Sequence, residues 1–443
     1  MTIVSEASFE TYEEALERAG TGRFQFRLLA ILGLVWAADA MQVLATGFSA
    51  PSLAAAFGIS IALALQTGAA FFLGMMIGAP FFGALADRFG RRRIFLITVS
   101  CDAVFGLLAT AAPSFPLLLL GRFLTGFAVG GTLPVDYATM AEFLPSRSRG
   151  RWLVALEGFW ALGSLAVAVI AWAVHSLSPE HAWRWLLACA ALPALSGLWL
   201  RRSLPESPLF LLKTGKAEAA THILQGVAVA NGKQLDSAMP TLQSSAPQSR
   251  RGLLSAELRC KTIFIAIAWL LISVSYYGIF TWLTARLAGE GFGFVRGSDF
   301  LVLTALAQLP GYGLAAFGVE RWGRRPTLIA FIVLSATGCF AFAVAETPAQ
   351  IAAAILSMSF ALVGAFGALY AFTPEIYPTS DRATGMGAAG AAARVGGFLA
   401  PTAIAPIVTK SLSLASAVFA GFLIIAAVAI ALIGIETRRQ PLQ

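Results

Sequence analysis

The stretches GALADRFGRRR, at residues 83–93, and AFGVERWGRRP, at residues 316–326, are two copies of one pattern, and they decide the fold of this chain. A second pair, AEFLPSRSR at 141–149 and PEIYPTSDR at 374–382, is separated by the same number of residues. Two unrelated motifs that share one spacing indicate a duplicated unit, because chance matches would not keep a common offset. The sequence therefore predicts two similar halves.

The composition of the 443 residues is that of a membrane protein. Hydrophobic residues make up 58% of the chain and charged residues 12%, and the mean hydropathy is +0.77. A soluble globule of this size carries about 25% charged residues. The apolar residues fall into blocks of about 20, the length of a helix that crosses a bilayer. The predicted fold is an all-α membrane protein with 12 transmembrane helices in two pseudo-symmetric six-helix bundles. The predicted spans are 27–54, 63–86, 94–112, 116–143, 151–175, 183–200, 261–286, 298–320, 326–345, 349–374, 383–409 and 413–436.

Most of the 31 Lys and Arg residues lie in loops on one side of the predicted bilayer. Basic loops remain in the cytoplasm, so both termini are predicted to be cytoplasmic. The predicted division of the chain is an N-terminal cytoplasmic segment, a first bundle, a cytoplasmic central loop, a second bundle and a cytoplasmic tail, at 1–26, 27–200, 201–260, 261–436 and 437–443. The central loop is predicted to be a tether that contains an amphipathic helix and a Ser/Gln/Pro-rich linker at 237–249, with a regulatory role as the alternative.

Several classes of protein are disfavoured by what the sequence lacks. The four cysteines are scattered without a Cys-x-x-Cys pair, so neither a disulfide framework nor a metal site is predicted. No phosphate-binding Gly-x4-Gly-Lys-Ser/Thr and no Gly-x-Ser-x-Gly motif occurs, which disfavours an ATP-driven pump and an enzyme. No cofactor is expected. Nucleic-acid binding is disfavoured because the basic residues are spread over short loops.

The repeated GALADRFGRRR motif, the twelve spans and the central loop resemble the major facilitator superfamily over essentially the whole chain. GRFLTGFAVGG at 121–131, PESP at 205–208 and PEIYPTSDRATG at 374–385 are similar to the sugar-porter and organic-ion-transporter branch. The stretch at 134–164 looks most like bacterial niacin permeases and synaptic-vesicle-transporter-like members. The resemblance implies a secondary transporter of the bacterial inner membrane that works by alternating access within one chain.

Charged residues in the repeated motifs are predicted to gate the cytoplasmic side, as the resemblance implies. The spacing of Glu142 to Arg149, and of Glu375 to Arg382, suggests ion pairs that bracket the loops after spans 4 and 10. Such pairs differ in strength when they are dry and when they are wet, which a two-state switch requires. The alternative is that these charges only set the topology. The predicted gating residues are Asp87, Arg88, Arg91, Glu142, Arg149, Glu320, Arg324, Glu375 and Arg382.

Charges inside predicted spans need a reason, because each costs about 2.5–3.5 kcal/mol at the bilayer centre. Asp39 and Arg122 match the positions at which proton-coupled sugar porters, as the resemblance implies, carry an acid and an arginine. Proton coupling is the predicted role, and a permanent buried ion pair is the alternative. Asp136 and Glu157 are further candidates for a proton relay, for substrate contact or for structural hydrogen bonds.

Arg394 in span 11 indicates an organic anion as substrate. A guanidinium binds a carboxylate through two hydrogen bonds, and a dry cavity strengthens the pair. The resemblance implies the same, because carriers of organic anions in the organic-ion-transporter branch have a basic residue in span 11. The alternative is a structural partner for Asp39 or Glu375. Aromatic and amide side chains are predicted to complete the binding site for a planar ligand: Trp36, Gln42, Tyr276, Tyr277, Gln308, Tyr312 and Tyr370.

The predicted function is proton-coupled import of a small aromatic monocarboxylate such as nicotinate. A sugar or polyol symporter is the first alternative, but the single asparagine, Asn231, lies in the central loop and few glutamines are buried. A transporter of organic cations is disfavoured by Arg394. A membrane receptor that binds a ligand without transport is the alternative from another class, and the duplicated gating motifs argue against it.

Overall fold

The computed structural model describes residues 11–178, 181–196, 204–233, 252–283, 298–403 and 411–440, and within these ranges the secondary structure is helical. A helix lies at each predicted span, and we number these α1 to α12. Their bounds are Arg23–Phe57, Gln66–Phe89, Arg91–Thr110, Phe115–Glu142, Arg149–Leu177, Ala182–Ala191, Arg259–Tyr277, Ser298–Arg321, Arg324–Ala343, Pro348–Ile376, Arg382–Ala403 and Leu412–Ile433.

Within the described residues, nine of these helices are long and apolar enough to cross a membrane, namely α1 to α5, α7, α9, α10 and α12. The helices α8 and α11 adjoin residues outside the described ranges, and α6 lies within a few residues of them. The predicted ends of spans 6, 7 and 11 and the linker at 237–249 lie outside the described residues. The all-α prediction is confirmed. Helix α1 is longer than predicted and ends at Gly58, whose positive φ of 65° closes the last turn.

The packing of the helices repeats between the two halves. In the first half α1 packs on α5 and α6, and α4 packs on α2 and α3. In the second half α7 packs on α11 and α12, and α10 packs on α8 and α9. Each pair therefore recurs six helices further on. Contacts between the halves follow the same rule, because α2 and α4 pack on α11 while α8 and α10 pack on α5.

Glycines bring α2 and α4 into backbone contact. A Cβ added to Gly74 would lie 2.1 Å from the carbonyl oxygen of Phe123, and one added to Gly126 would lie 2.0 Å from that of Phe71. No side chain fits at such distances, so these positions require glycine. This is the close approach that glycines four residues apart permit between membrane helices.

Three short helices, Tyr12–Ala19, Pro208–Lys213 and Ala217–Ala230, pack together at one end of the molecule. We call this the basic end, and it is the end at which α2 finishes at Phe89 and α4 at Glu142. Asn231 holds the assembly, since its side-chain amide donates to the carbonyls of Ala19 and Gly20. The amphipathic segment predicted in the central loop is thus helical and packs against the N-terminal helix.

Candidate substrate site and ion-pair network

A small cavity with a volume of about 30 Å³ lies between the two halves. Most of the side chains that line it are aromatic, and one acid and one arginine are among them. These groups offer stacking surfaces and a charge to a planar ligand. The side chains that line it are Trp36, Glu157, Trp160, Trp269, Ser273, Tyr276, Tyr277, Tyr312, Val363, Phe366, Tyr370, Ala393 and Arg394.

Arg394 supplies the positive charge of the cavity. Its side chain projects from α11 and is only 6% exposed. Among the described residues its Nε atom has no hydrogen-bond partner, and no carboxylate lies within 4.0 Å of its guanidinium. It interacts electrostatically with Glu157, Tyr277 and Tyr370. A buried guanidinium with no carboxylate close by is costly, so the site is complementary to an anion.

The aromatic walls form one continuous contact network. Tyr137 of α4 stacks on Tyr370 of α10, with ring centroids 4.3 Å apart and planes inclined by 24°. Tyr370 also meets Trp269 of α7 edge to face at 4.6 Å, and Trp36 of α1 at 5.5 Å. Rings from both halves therefore contact one another around the space, and such rings can stack on a flat ligand.

Glu157 faces the same cavity from α5 in the first half. Its Oε2 accepts a hydrogen bond of 2.6 Å from the hydroxyl of Tyr137. Its Oε1 lies 3.5 Å from the hydroxyl of Tyr312, which is a weak hydrogen bond. The acid is 4% exposed. It is the one carboxylate among the described lining residues, so the site carries one acid and one guanidinium on opposite halves of the protein.

Asp39 and Asp136 lie behind the cavity wall. Asp39 accepts a hydrogen bond of 2.5 Å from Thr132, while its other oxygen has no partner among the described residues. One oxygen of Asp136 accepts from the backbone nitrogen of Tyr137 at 2.7 Å, and the other has no such partner. Asp39 interacts electrostatically with Asp136 and with Arg394. These acids thus form a buried series that leads toward the arginine.

Arg122 does not pair with Asp39 in this structure. Its guanidinium donates to the side-chain oxygen of Gln42 at 2.8 Å and to the hydroxyl of Thr46 at 3.0 Å, and it covers the ring of Phe71 at 4.4 Å. Gln42 in turn donates to Asp102 at 3.3 Å. A permanent ion pair between Asp39 and Arg122, the alternative that the sequence left open, is therefore not present in this structure. Arg122 belongs instead to a polar cluster one turn further along α1.

Gln308, predicted to contact the substrate, lies outside the cavity lining, as Gln42 does, and Arg88, predicted to gate, lies outside the ion pairs at the end of α2. Gln308 is buried on α8, one turn before Tyr312. Arg88 is exposed at the end of α2, with its guanidinium 5.1 Å from the ring centroid of Phe89. The sequence analysis missed Trp160, Trp269, Ser273, Val363, Phe366 and Ala393. Trp160 follows Glu157 by three residues and Trp269 precedes Tyr276 by seven, so helical periodicity was the available signal.

Buried ion pairs repeat in the two halves at the basic end. In the first half Arg91 lies 3.0 Å from Asp87 and 3.2 Å from Glu142. In the second half Arg324 lies 3.6 Å from Glu320 and 3.1 Å from Glu375. The repeated sequence motif therefore builds the same three-residue cluster twice. We call these six residues, with Arg149 and Arg382, the basic-end network.

The glutamates of this network are joined across the two halves. Arg382 donates to Glu142 at 2.9 Å, and Arg149 lies 3.6 Å from Glu375. The spacing of each glutamate to the arginine seven residues later suggested pairs within a half, and that interpretation needs correction. Because α11 packs on α4 and α5 packs on α10, the arginine that starts one helix meets the glutamate that ends its neighbour in the other half.

Other bonds also link the halves at this end. Asp87 accepts from the backbone nitrogen of Thr384 at 2.8 Å and from its hydroxyl at 2.7 Å, and Arg91 donates to the carbonyl of Thr379 at 2.9 Å. Glu13 of the N-terminal helix lies 3.4 Å from Arg149. The basic end is therefore closed by charge-assisted bonds.

The hydroxyl of Tyr12 extends this closure to the N-terminal helix by donating to the carbonyl of Glu142. Loss of water around that hydroxyl, reinforced by the charge of Glu142, raises the pKa of Tyr12 well above its usual value, so the group remains a donor even in alkaline solution. No sequence pattern predicted that residues before the first span contribute here.

Two repeated helix bundles around a central cavity, joined at one end by bonds that cross between the bundles, are the architecture of a secondary membrane transporter. The sequence profile of the sugar (and other) transporters matches residues 60–443. The structure is similar to that of a proton:xylose symporter of the major facilitator superfamily, with a TM-score of 0.77, 18% identity and coverage of 95% of this chain and 98% of that one.

The curated proteins of similar sequence include two that are named as niacin transporters. The Niacin transporter NiaP of Acinetobacter baylyi is 34% identical over 391 residues, which is 88% of each chain. The Putative niacin/nicotinamide transporter NiaP of Bacillus subtilis is 32% identical and covers 95% of this chain and 98% of its own. The Synaptic vesicle 2-related protein of Xenopus laevis is 32% identical, with 97% and 82% covered. The chain belongs to the sugar (and other) transporter family of the major facilitator superfamily, as its motifs predicted, and is a multi-pass membrane transporter rather than an enzyme.

Proposed function

We propose that this transporter imports nicotinate together with a proton across a bacterial plasma membrane, with both termini in the cytoplasm. Two relatives carry niacin in their names, and niacin is the planar aromatic acid that the cavity chemistry suits. The observation that carries the proposal is Arg394, a buried guanidinium in the cavity with no carboxylate within 4.0 Å among the described residues.

The substrate carboxylate binds Arg394 and the ring lies between the aromatic walls. A carboxylate that accepts two hydrogen bonds from a guanidinium is among the strongest polar contacts in proteins. The rings of Tyr276, Tyr277 and Tyr370 line the space beside Arg394, and Trp36 closes it from the first half. Aromatic pairs contribute about 0.5–1.5 kcal/mol each beyond the area that they bury.

The proton binds Asp39, which is buried and has one oxygen without a partner among the described residues. Arg394 interacts electrostatically with Asp39, so an anion that neutralises Arg394 removes a positive charge that favours ionised Asp39. Binding of the anion and binding of the proton then favour each other, because coupling between two sites is reciprocal. Asp136, which interacts with Asp39, extends the route for the proton.

The basic-end network is the cytoplasmic gate. Its bonds between halves, from Arg382 to Glu142 and from Arg149 to Glu375, hold the closed state and break when the halves separate at this end. The cavity is made by helices of one chain, so the protein functions as a monomer. One proton moving with one monovalent anion transfers no net charge, so uptake follows the pH gradient rather than the voltage.

The test is uptake of labelled nicotinate by proteoliposomes that contain the purified full-length protein. We expect accumulation when the outside is acidic, and no dependence on an imposed voltage at equal pH. Asp39→Asn should abolish accumulation but retain exchange of labelled for unlabelled nicotinate, because the carboxamide cannot carry the proton. Glu346→Gln is the control, since Glu346 is an exposed acid that does not line the cavity, and it should retain accumulation. Strong voltage dependence at fixed pH, or no nicotinate exchange at all, would contradict the proposal.

A further inference from the structure

Glu157 is a cavity acid for which the transport scheme above has no role. It lies on α5, in the first half, whereas Arg394 lies on α11, in the second half, and both line the same space. The two side chains interact electrostatically but are not within 4.0 Å of each other. A small ligand that occupies the cavity therefore lies between an acid and a guanidinium.

The surroundings of Glu157 leave it able to accept a further hydrogen bond. Its Oε2 is engaged at 2.6 Å by Tyr137, but its Oε1 has the weak contact of 3.5 Å with Tyr312. That distance is at the limit of a hydrogen bond, and a carboxylate oxygen accepts two. The titratable and charged groups that interact with Glu157 are Asp136 and Tyr137 on α4, Tyr276 and Tyr277 on α7, Tyr312 on α8, Tyr370 on α10 and Arg394 on α11.

A ligand with a carboxylate at one edge and a basic ring nitrogen at another is complementary to this arrangement. Arg394 takes the carboxylate, which leaves the ring nitrogen on the side of Glu157. An unprotonated ring nitrogen and an ionised carboxylate are both acceptors, so a hydrogen bond between them requires one proton. The proton is shared whether it arrives on the acid or on the ring.

We propose that Glu157 is a specificity residue that holds a ring nitrogen of the substrate through a shared proton, so that the cavity selects heteroaromatic carboxylates over benzene carboxylates. The inference rests on the proposed function, because it takes the carboxylate of nicotinate to lie at Arg394. It adds the ring atom that the transporter recognises and the group that recognises it.

The experiment compares the binding of nicotinate and benzoate to the purified full-length protein by calorimetry, from about pH 6 to about pH 9. Benzoate has the same carboxylate and a C–H group in place of the ring nitrogen, so effects of pH on Arg394 and on Asp39 cancel in the ratio of the two affinities. At the acidic end nicotinate should bind at least tenfold more tightly, the discrimination typical of a hydrogen bond to a charged group. The ratio should fall as the pH rises, by at most about tenfold per pH unit, because one shared proton is lost.

Glu157→Gln provides the matched variant. Its amide oxygen still accepts from Tyr137, and its N–H group can donate to an unprotonated ring nitrogen, so the ratio should become independent of pH. A ratio in the native protein that does not change with pH would overturn the inference, as would an equal decline in Glu157→Gln. These outcomes need benzoate or nicotinate to bind. If neither acid binds the native protein, the proposed function fails as well, which is a distinct result.

Discussion

Replacing Glu142 by glutamine should release the basic-end network and shift the protein toward the state that is open at this end. Glu142 is fully buried and bonds to Arg382 of the other half at 2.9 Å and to Arg91 of its own half at 3.2 Å. The bond to Arg91 lies within one half, so separation of the halves does not require it to break. The bond to Arg382 exists only when the two halves meet, so it is the contact that biases the equilibrium.

The magnitude follows from the burial of the pair. Removing one partner of a buried ion pair costs about 3–5 kcal/mol, because the remaining charge is left uncompensated. We take the lower value, about 3 kcal/mol, since glutamine can still accept one hydrogen bond from Arg382. That free energy corresponds to roughly a hundredfold shift in the ratio of closed to open molecules. The double variant Glu142→Gln/Arg382→Gln should lie closer to the native ratio, because neither buried charge remains.

The measurement is the distance between spin labels at the exposed positions Arg88 and Arg321, which lie at the basic end of α2 and α8 in a variant without native cysteines. We expect a longer-distance population in Glu142→Gln that is minor in the native protein. Glu17→Gln is the control, because its ion pair with Arg147 is exposed and contributes at most about 1 kcal/mol. Identical distance distributions for native protein and Glu142→Gln, with both folded, would refute the reasoning.

Three further predictions concern packing, the N-terminal helix and the proton. Gly126→Ala should lower the melting temperature strongly, because its Cβ would lie 2.0 Å from a backbone oxygen of α2, whereas Gly421→Ala, with nothing within 4 Å, should not, as thermal unfolding in detergent would show. Glu13→Gln should raise the rate at which Ser146→Cys is alkylated in a background without native cysteines, because Glu13 holds its helix over that buried position by accepting from the backbone nitrogen of Ser146 at 2.6 Å and pairing with Arg149 at 3.4 Å; an unchanged rate would mean that these bonds do not hold the helix there. Asp39→Asn should bind nicotinate with a weaker dependence on pH above neutrality than the native protein shows, because one of the two proton sites is removed, and calorimetry in buffers of different pH would measure this.

Much of the fold was predictable because it depends on patterns that the sequence shows directly. Apolar blocks of bilayer length indicated the spans, and the repeated motifs indicated the duplication that the helix contacts display. Arg394 was predictable as a cavity residue because a lipid-facing position would not carry a charge at that depth. The tyrosines were predicted because aromatic rings stack on a planar ligand. Their role as substrate ligands stays a prediction.

The partners of the charged residues were not predictable, because spacing along the chain does not specify which helix lies opposite. Arg149 is seven residues from Glu142, yet it meets Glu375 because α5 lies against α10. Arg122 likewise bonds to the amide of Gln42 rather than to Asp39. The two residues lie about one helical turn apart on α1, and the sequence does not show which of them lies opposite Arg122. Trp269 was missed for a similar reason. A tryptophan in an apolar span cannot be separated from a packing residue until the helix has neighbours.

The central claim is that Arg394 binds the carboxylate of nicotinate, and equilibrium binding tests it most directly. Nicotinate should raise the thermal stability of the purified protein, by about 2.7 kcal/mol at a concentration 100 times its dissociation constant. The effect should be lost in Arg394→Gln and retained in Arg88→Gln, which removes an exposed arginine outside the cavity. Stabilisation by nicotinate that is the same in Arg394→Gln as in the native protein would contradict the account, and so would stabilisation by sugars or amines instead of nicotinate.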